Sequence, residues 1–81
     1  MNPLTLAPEA IPDLISRLTP RQLEVVGLLA QGQSTKQTSN ILSISSETVK
    51  RHIYHACRKM EIENRTQLIV IFTMWKVNDD K

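Results

Sequence analysis

The stretch STKQTSNILSISSETVKRHIYHACRKM, residues 34–60, decides the fold. It holds two runs of helical spacing, separated by a brief break at Ser43 and Ile44. The first is short, Thr35 to Leu42, with Ser34 or Thr35 as its cap and Ile41 and Leu42 as its expected apolar side. The second begins after Ser45, whose hydroxyl suits the free N–H groups of a first helical turn, and runs to Met60. Within it Val49, Ile53, Ala56 and Met60 recur at steps of four, three and four, which on a 3.6-residue helix makes one buried stripe. Lys50, Arg51, Tyr54 and Arg58 fall on the other side. Two helices joined by so short a turn make a helix-turn-helix candidate.

Upstream, Thr19-Pro20-Arg21-Gln22 predicts a helix start. Thr19 caps, Pro20 fits the first helical position, and Gln22 completes a Thr-x-x-Gln capping box. Leu23, Val26, Leu29 and Ala30 form the expected inward stripe, and Gly32 suits a left-handed helix end. Residues 1–17 hold Pro3, Pro8 and Pro12. They read as a lead-in: either a short helix from about Pro12, with Ile11, Leu14, Ile15 and Leu18 at helical spacing, or a linker with a few apolar anchors.

Downstream, Glu61 to Glu63 is a linker, and Asn64 caps a last helix over Arg65 to Val77. Leu68, Ile71, Phe72 and Trp75 make one apolar stripe, while Ile69, Val70, Met74 and Val77 make a second. A helix apolar on most of its surface is buried on two sides, and so small a chain has little to cover both. The second side points to a dimer interface through Val70, Met74 and Val77. The alternative is that the N-terminal segment folds back over it. The domain thus spans 18–77, with 78–81 as a tail.

Eighty-one residues with a net charge of +2 suffice for one modest core and no deep catalytic cleft. The charge is unevenly placed. From residue 36 to 65, Lys36, Lys50, Arg51, Arg58, Lys59 and Arg65 stand against Glu47, Glu61 and Glu63, a basic centre suited to a polyanion. Cys57 is the single cysteine, so no internal disulfide forms. No apolar run is long enough to span a membrane, and the N-terminus lacks a secretory pattern. A cytoplasmic protein is expected. His52, His55 and Cys57 do not make a metal site, because residues 52 and 57 point in well-separated directions on one helix and other ligands are lacking. No catalytic constellation is present, so neither an enzyme nor a cofactor is expected.

In order, these segments resemble the LuxR/GerE-type output domains. Leu18-Thr19-Pro20-Arg21-Gln22 resembles the family's Leu-Thr-x-Arg-Glu opening. Gly32 followed by Ser34-Thr35-Lys36-Gln37-Thr38-Ser39 resembles its Gly and Ser-Asn-Lys-Glu-Ile-Ala. Thr48-Val49-Lys50-Arg51-His52 resembles its Thr-Val-Lys-x-His signature. Arg58-Lys59-Met60 and Asn64-Arg65-Thr66-Gln67 resemble the end of its recognition helix and the opening of its fourth. The departures are Gln22 for Glu, Thr38-Ser39 for Ile-Ala, Ala56 for Ile, and Glu61 for Gly.

The resemblance implies an all-α, four-helix domain, with room for an extra N-terminal helix, that binds double-stranded DNA as a homodimer in transcription control at the bacterial nucleoid. It implies that helix 46–60 enters the major groove, with base contacts from Lys50, Arg51 and Tyr54. Phosphate contacts then come from Lys36, Thr48, His52, Arg58, Lys59 and Arg65. RNA polymerase or another regulator is a further partner that this reading allows. No receiver or small-molecule domain fits before Leu18, so no phosphoacceptor is expected. Two alternatives stand beside this reading. One is a DNA-independent module that binds and inhibits another regulator, against which the basic outer face argues. The other is a sigma-factor region 4 domain, which the Thr-Val-Lys-x-His segment and the fourth helix fit less well.

Overall fold

The computed structural model describes residues 7–79. They form a 3-10 turn, Pro8–Ala10, and five helices: α1 (Ile11–Ser16), α2 (Pro20–Ala30), α3 (Thr35–Leu42), α4 (Ser46–Met60) and α5 (Arg65–Asp79). There is no strand among the described residues. The architecture is the expected all-α helix-turn-helix, with the extra N-terminal helix present.

The starts of α2, α3, α4 and α5 are each fixed by a side chain, whereas α1 begins at Ala10 without one. Thr19 Oγ1 accepts from the Gln22 N–H at 3.0 Å, and Gln22 Oε1 accepts from the Thr19 N–H at 3.0 Å. Ser34 and Gln37 repeat this box at α3. Ser45 Oγ accepts from the Thr48 N–H at α4. At α5, Asn64 Oδ1 accepts from the Gln67 N–H, while Gln67 Oε1 reaches back to the Glu63 N–H. These are the donors that a helix start otherwise leaves to water.

The ends of α2, α3 and α4 share one solution. Gly32, Ser43 and Glu61 have φ of 94°, 56° and 56°. In each case the next residue's N–H reaches back five positions: Gln33 to Leu28, Ile44 to Ser39, and Ile62 to Cys57. This closure satisfies orphan carbonyls and turns the chain sharply. At Ser43 and Glu61 it tucks the following isoleucine inward, so that Ile62 is buried and Ile44 packs on the core. Glycine suits such a position, yet two of the three residues here carry a Cβ.

The larger core cluster draws on α1, α2, α4 and α5. It contains Ile11, Leu14, Ile15, Leu18, Val26, Ala56, Met60, Leu68 and Ile71. A smaller one, Val25, Leu29 and Val49, sits between α2 and α4 with Leu42, Ile44 and Ile69 against it. Ile53 touches both clusters, and Ala56 is fully buried. Gln22 and Val25 join the buried side of α2, where Leu23 and Ala30 are only half-buried.

Two expectations change. Ile41 does not supply the inner side of α3; it is 53% exposed, and Thr38 and Ser39 take the buried positions. Leu42 lies one turn after Thr38 and shares its side, whereas Ile41 is displaced around the helix. The second side of α5 is also used within the chain. Of its residues, Met74 lies against the larger cluster and Ile69 against the smaller, and helix α1 packs on α5. The N-terminal segment thus folds back over part of α5. Arg17 secures it, donating to the Lys59 carbonyl at 3.2 Å and pairing with Asp13 at 3.0 Å and Glu61 at 3.6 Å.

Candidate nucleic-acid interface

Helix α4 presents its polar side as one stripe. Lys50 and Arg51 each lie three or four residues from both Glu47 and Tyr54, and Arg58 lies four beyond Tyr54, which puts the five on one face. All five are exposed. The inner side is held by Val49, Ala56 and Met60, each at 0% exposure, so rotation of α4 about its axis is fixed by packing rather than by a ligand.

The stripe is organised by its own contacts. Arg58 Nη1 donates to Tyr54 Oη at 3.3 Å, and its guanidinium lies 5.7 Å from the Tyr54 ring centroid. Arg58 thereby holds a tyrosine that is 57% exposed. Lys50 Nζ and Glu47 Oε1 are 3.4 Å apart, with side chains 63% and 80% exposed. Such an exposed pair contributes little to stability and leaves both groups free to exchange partners. Arg51 carries no ion pair among the described residues.

The expected phosphate-contacting residues divide into groups. Thr48 is half-buried, and its hydroxyl lies 2.9 Å from Ser45 Oγ. His52 is half-buried too. Burial, then the positive charge of Arg21, then His55 and Arg51, hold its pKa below the ordinary value of 6.5. It is therefore a neutral imidazole at neutral pH. Lys59 turns toward α2, where Nζ donates to Gln22 Oε1 at 3.4 Å. Arg65 instead bridges two helix starts, donating to Thr35 Oγ1 at 2.9 Å beside the exposed Lys36. Arg58 belongs to the stripe. Among the described residues, no hydrogen bond or ion pair joins the Lys36–Arg65 group to the stripe.

Two residues escaped the reading of sequence. Arg21, which the opening motif treats as part of a cap, donates to the Leu42 carbonyl at 3.4 Å and acts electrostatically on His52. It ties the start of α2 to the end of α3 and adds positive charge beside α4. Glu47 read as an acid diluting a basic segment; its place three residues before Lys50 was the available signal. On α5, Val70 and Met74 are half-buried and Val77 is 56% exposed. Cys57 is buried, which raises its thiol pKa.

A family model described as bacterial regulatory proteins, luxR family, matches residues 16–72. The chain belongs to this family. Helix α1 therefore lies almost wholly outside the part that LuxR-family members share. The chain is 43% identical over 60 residues to the nitrate/nitrite response regulator protein NarP of Escherichia coli, covering 74% of this chain and 28% of that protein. It is 42% identical over 66 residues to the transcriptional regulatory protein DesR of Bacillus subtilis, covering 78% and 33%. It is 43% identical over 54 residues to the quorum sensing-dependent transcriptional regulator RpaR of Rhodopseudomonas palustris, covering 67% and 22%. The chain thus spans a third or less of the length of these relatives. They are named as regulators, not enzymes. No solved structure matches the chain.

Proposed function

We propose that this chain is a sequence-specific DNA-binding transcription regulator that inserts α4 into the major groove and works as a homodimer through α5. The observation that carries the reading is the exposed outer stripe of α4, on the second helix of a helix-turn-helix in a LuxR-family domain. An α-helix fits the major groove, whose base edges carry distinct donor and acceptor patterns. Lys50 and Arg51 donate to guanine O6 and N7, Arg51 in bidentate fashion. Tyr54, held by Arg58, offers a ring edge to a thymine methyl or a hydroxyl to a base. Thr48, His52, Arg58, Lys59 and the Lys36–Arg65 group contact phosphates, fixing register without reading sequence. Two copies joined through Val70, Met74 and Val77 bring two recognition helices to successive major grooves on a palindromic site.

The experiment is binding of the 81-residue chain to a random duplex library at several salt concentrations, beside the Lys50→Ala/Arg51→Ala variant. Enrichment of a palindromic motif by the parent protein alone is the expected result. Weak, steeply salt-dependent binding with no motif leaves only phosphate attraction, and the sequence-specific reading then fails.

A further inference from the structure

Glu47 is an acid in the centre of a basic surface, and the DNA reading of α4 gives it no role. It sits in the first turn of α4, one turn before Lys50 and Arg51 on the same face, with its side chain 80% exposed. The N-terminal residues of a recognition helix lie nearest the base edges. A carboxylate there is repelled by phosphates on both sides of the groove. It is favourable only where it meets a hydrogen-bond donor, because an ionised carboxylate accepts and never donates.

The major groove offers two kinds of base donor, cytosine N4–H₂ and adenine N6–H₂. They differ in their neighbours. Adenine places its N7 acceptor beside the amino group, and that lone pair repels a carboxylate. Cytosine has no acceptor beside N4 on its own groove edge. Its paired guanine presents O6 and N7, and a lysine is the matching donor. Lys50 is that lysine, with Nζ already 3.4 Å from Glu47 Oε1. A carboxylate and an ammonium side by side are the complement of the amino and carbonyl groups that a C·G pair shows in the groove.

We propose that Glu47 is a base-reading residue that selects cytosine, and that together with Lys50 it reads a single C·G pair in each half-site. The inference rests on the DNA reading of α4. A purely structural role for Glu47 is the competing explanation, since an acid in a first turn also favours the helix dipole. The two separate on base preference, which a structural role does not alter.

The test is selection from a random duplex library with the parent chain, Glu47→Ala and Glu47→Gln. Competition binding on the best site and its single-pair variants follows, with thermal melting of each protein alongside. The parent is expected to prefer cytosine at one position of each half-site by roughly tenfold. Glu47→Ala loses that preference at that position and keeps the rest of the motif. Glu47→Gln moves it toward adenine, because a side-chain amide accepts from N6 and donates to N7. If Glu47→Ala selects the same base at every position, cytosine selection is overturned while the DNA reading stands, and any loss of affinity belongs to helix stability. If the parent enriches no motif at all, both readings fall together.

Discussion

Thr38→Val isolates one atom. The Thr38 hydroxyl is buried on the inner side of α3, where the residue has 0% exposure, and it has no hydrogen-bond partner among the described residues. Its neighbour Ser39 is satisfied, donating to the Lys36 carbonyl at 2.7 Å. An orphaned buried hydroxyl costs about 1–3 kcal/mol. Valine keeps the branched shape and replaces the oxygen with a methyl group, and its helix propensity is close to that of threonine. The expected gain is about 1–2 kcal/mol, or roughly 4–8 °C in Tm for each kcal/mol in a domain of this size. Urea unfolding followed by circular dichroism measures it, and the midpoint should rise with the m value unchanged. Thr38→Ser is the control. It keeps the hydroxyl, removes the methyl group and should destabilise by about 1 kcal/mol. A Thr38→Val midpoint equal to or below the parent's would refute the reasoning, since the hydroxyl must then be bonded, to the Ser34 carbonyl or to water.

Glu61→Gly should stabilise the domain by up to about 1 kcal/mol, because glycine relieves the Cβ penalty at a φ of 56°; the lost contact with Arg17 is exposed and offsets little. Glu61→Ala, read in the same thermal melts, should give no such gain. Stability should fall as pH drops below 6.5, because the folded state holds the His52 pKa down and the unfolded chain then binds more protons. His52→Gln should flatten that dependence in unfolding midpoints taken between about pH 5 and 8. DNA binding should show the opposite sign, strengthening on acidification as phosphate favours the protonated ring, and the same variant should remove the effect. Val77→Asp should lower the apparent dimer fraction in sedimentation while leaving the unfolding free energy within about 0.5 kcal/mol of the parent's, since Val77 is 56% exposed; a monomeric parent would refute the α5 interface.

Helix starts were legible because caps are local. Thr19, Ser34, Ser45 and Asn64 each act within three residues, and each cap occurs as the spacing predicts. The inner stripe of α4 was legible because its apolar residues recur at regular steps of four, three and four. The inner side of α3 was not, because small polar residues occupy it and hydropathy pointed to Ile41 instead. The path of α1 was left open by a segment whose apolar spacing suits a helix or an anchored linker. Only contacts distant in sequence, such as Arg17 with the Lys59 carbonyl, decide it. The stripe of α4 followed from its spacing, but the Arg58–Tyr54 and Glu47–Lys50 couplings depend on side-chain torsions that no pattern specifies. Arg21 was hidden by its place in a capping motif, where its reach to the end of α3 carries no local signature.

Helix α1 also bears on how this domain can be handled as a portable part. The shared family boundary falls at residue 16, and a fusion or chimaera joined there would discard Ile11, Leu14 and Ile15. Those three belong to the same cluster as Met60, Leu68 and Ile71, so the cut would bare an oily seam beside the C-terminal end of α4. A graft that starts at Pro8 would keep α1 and so carry its own seal with it.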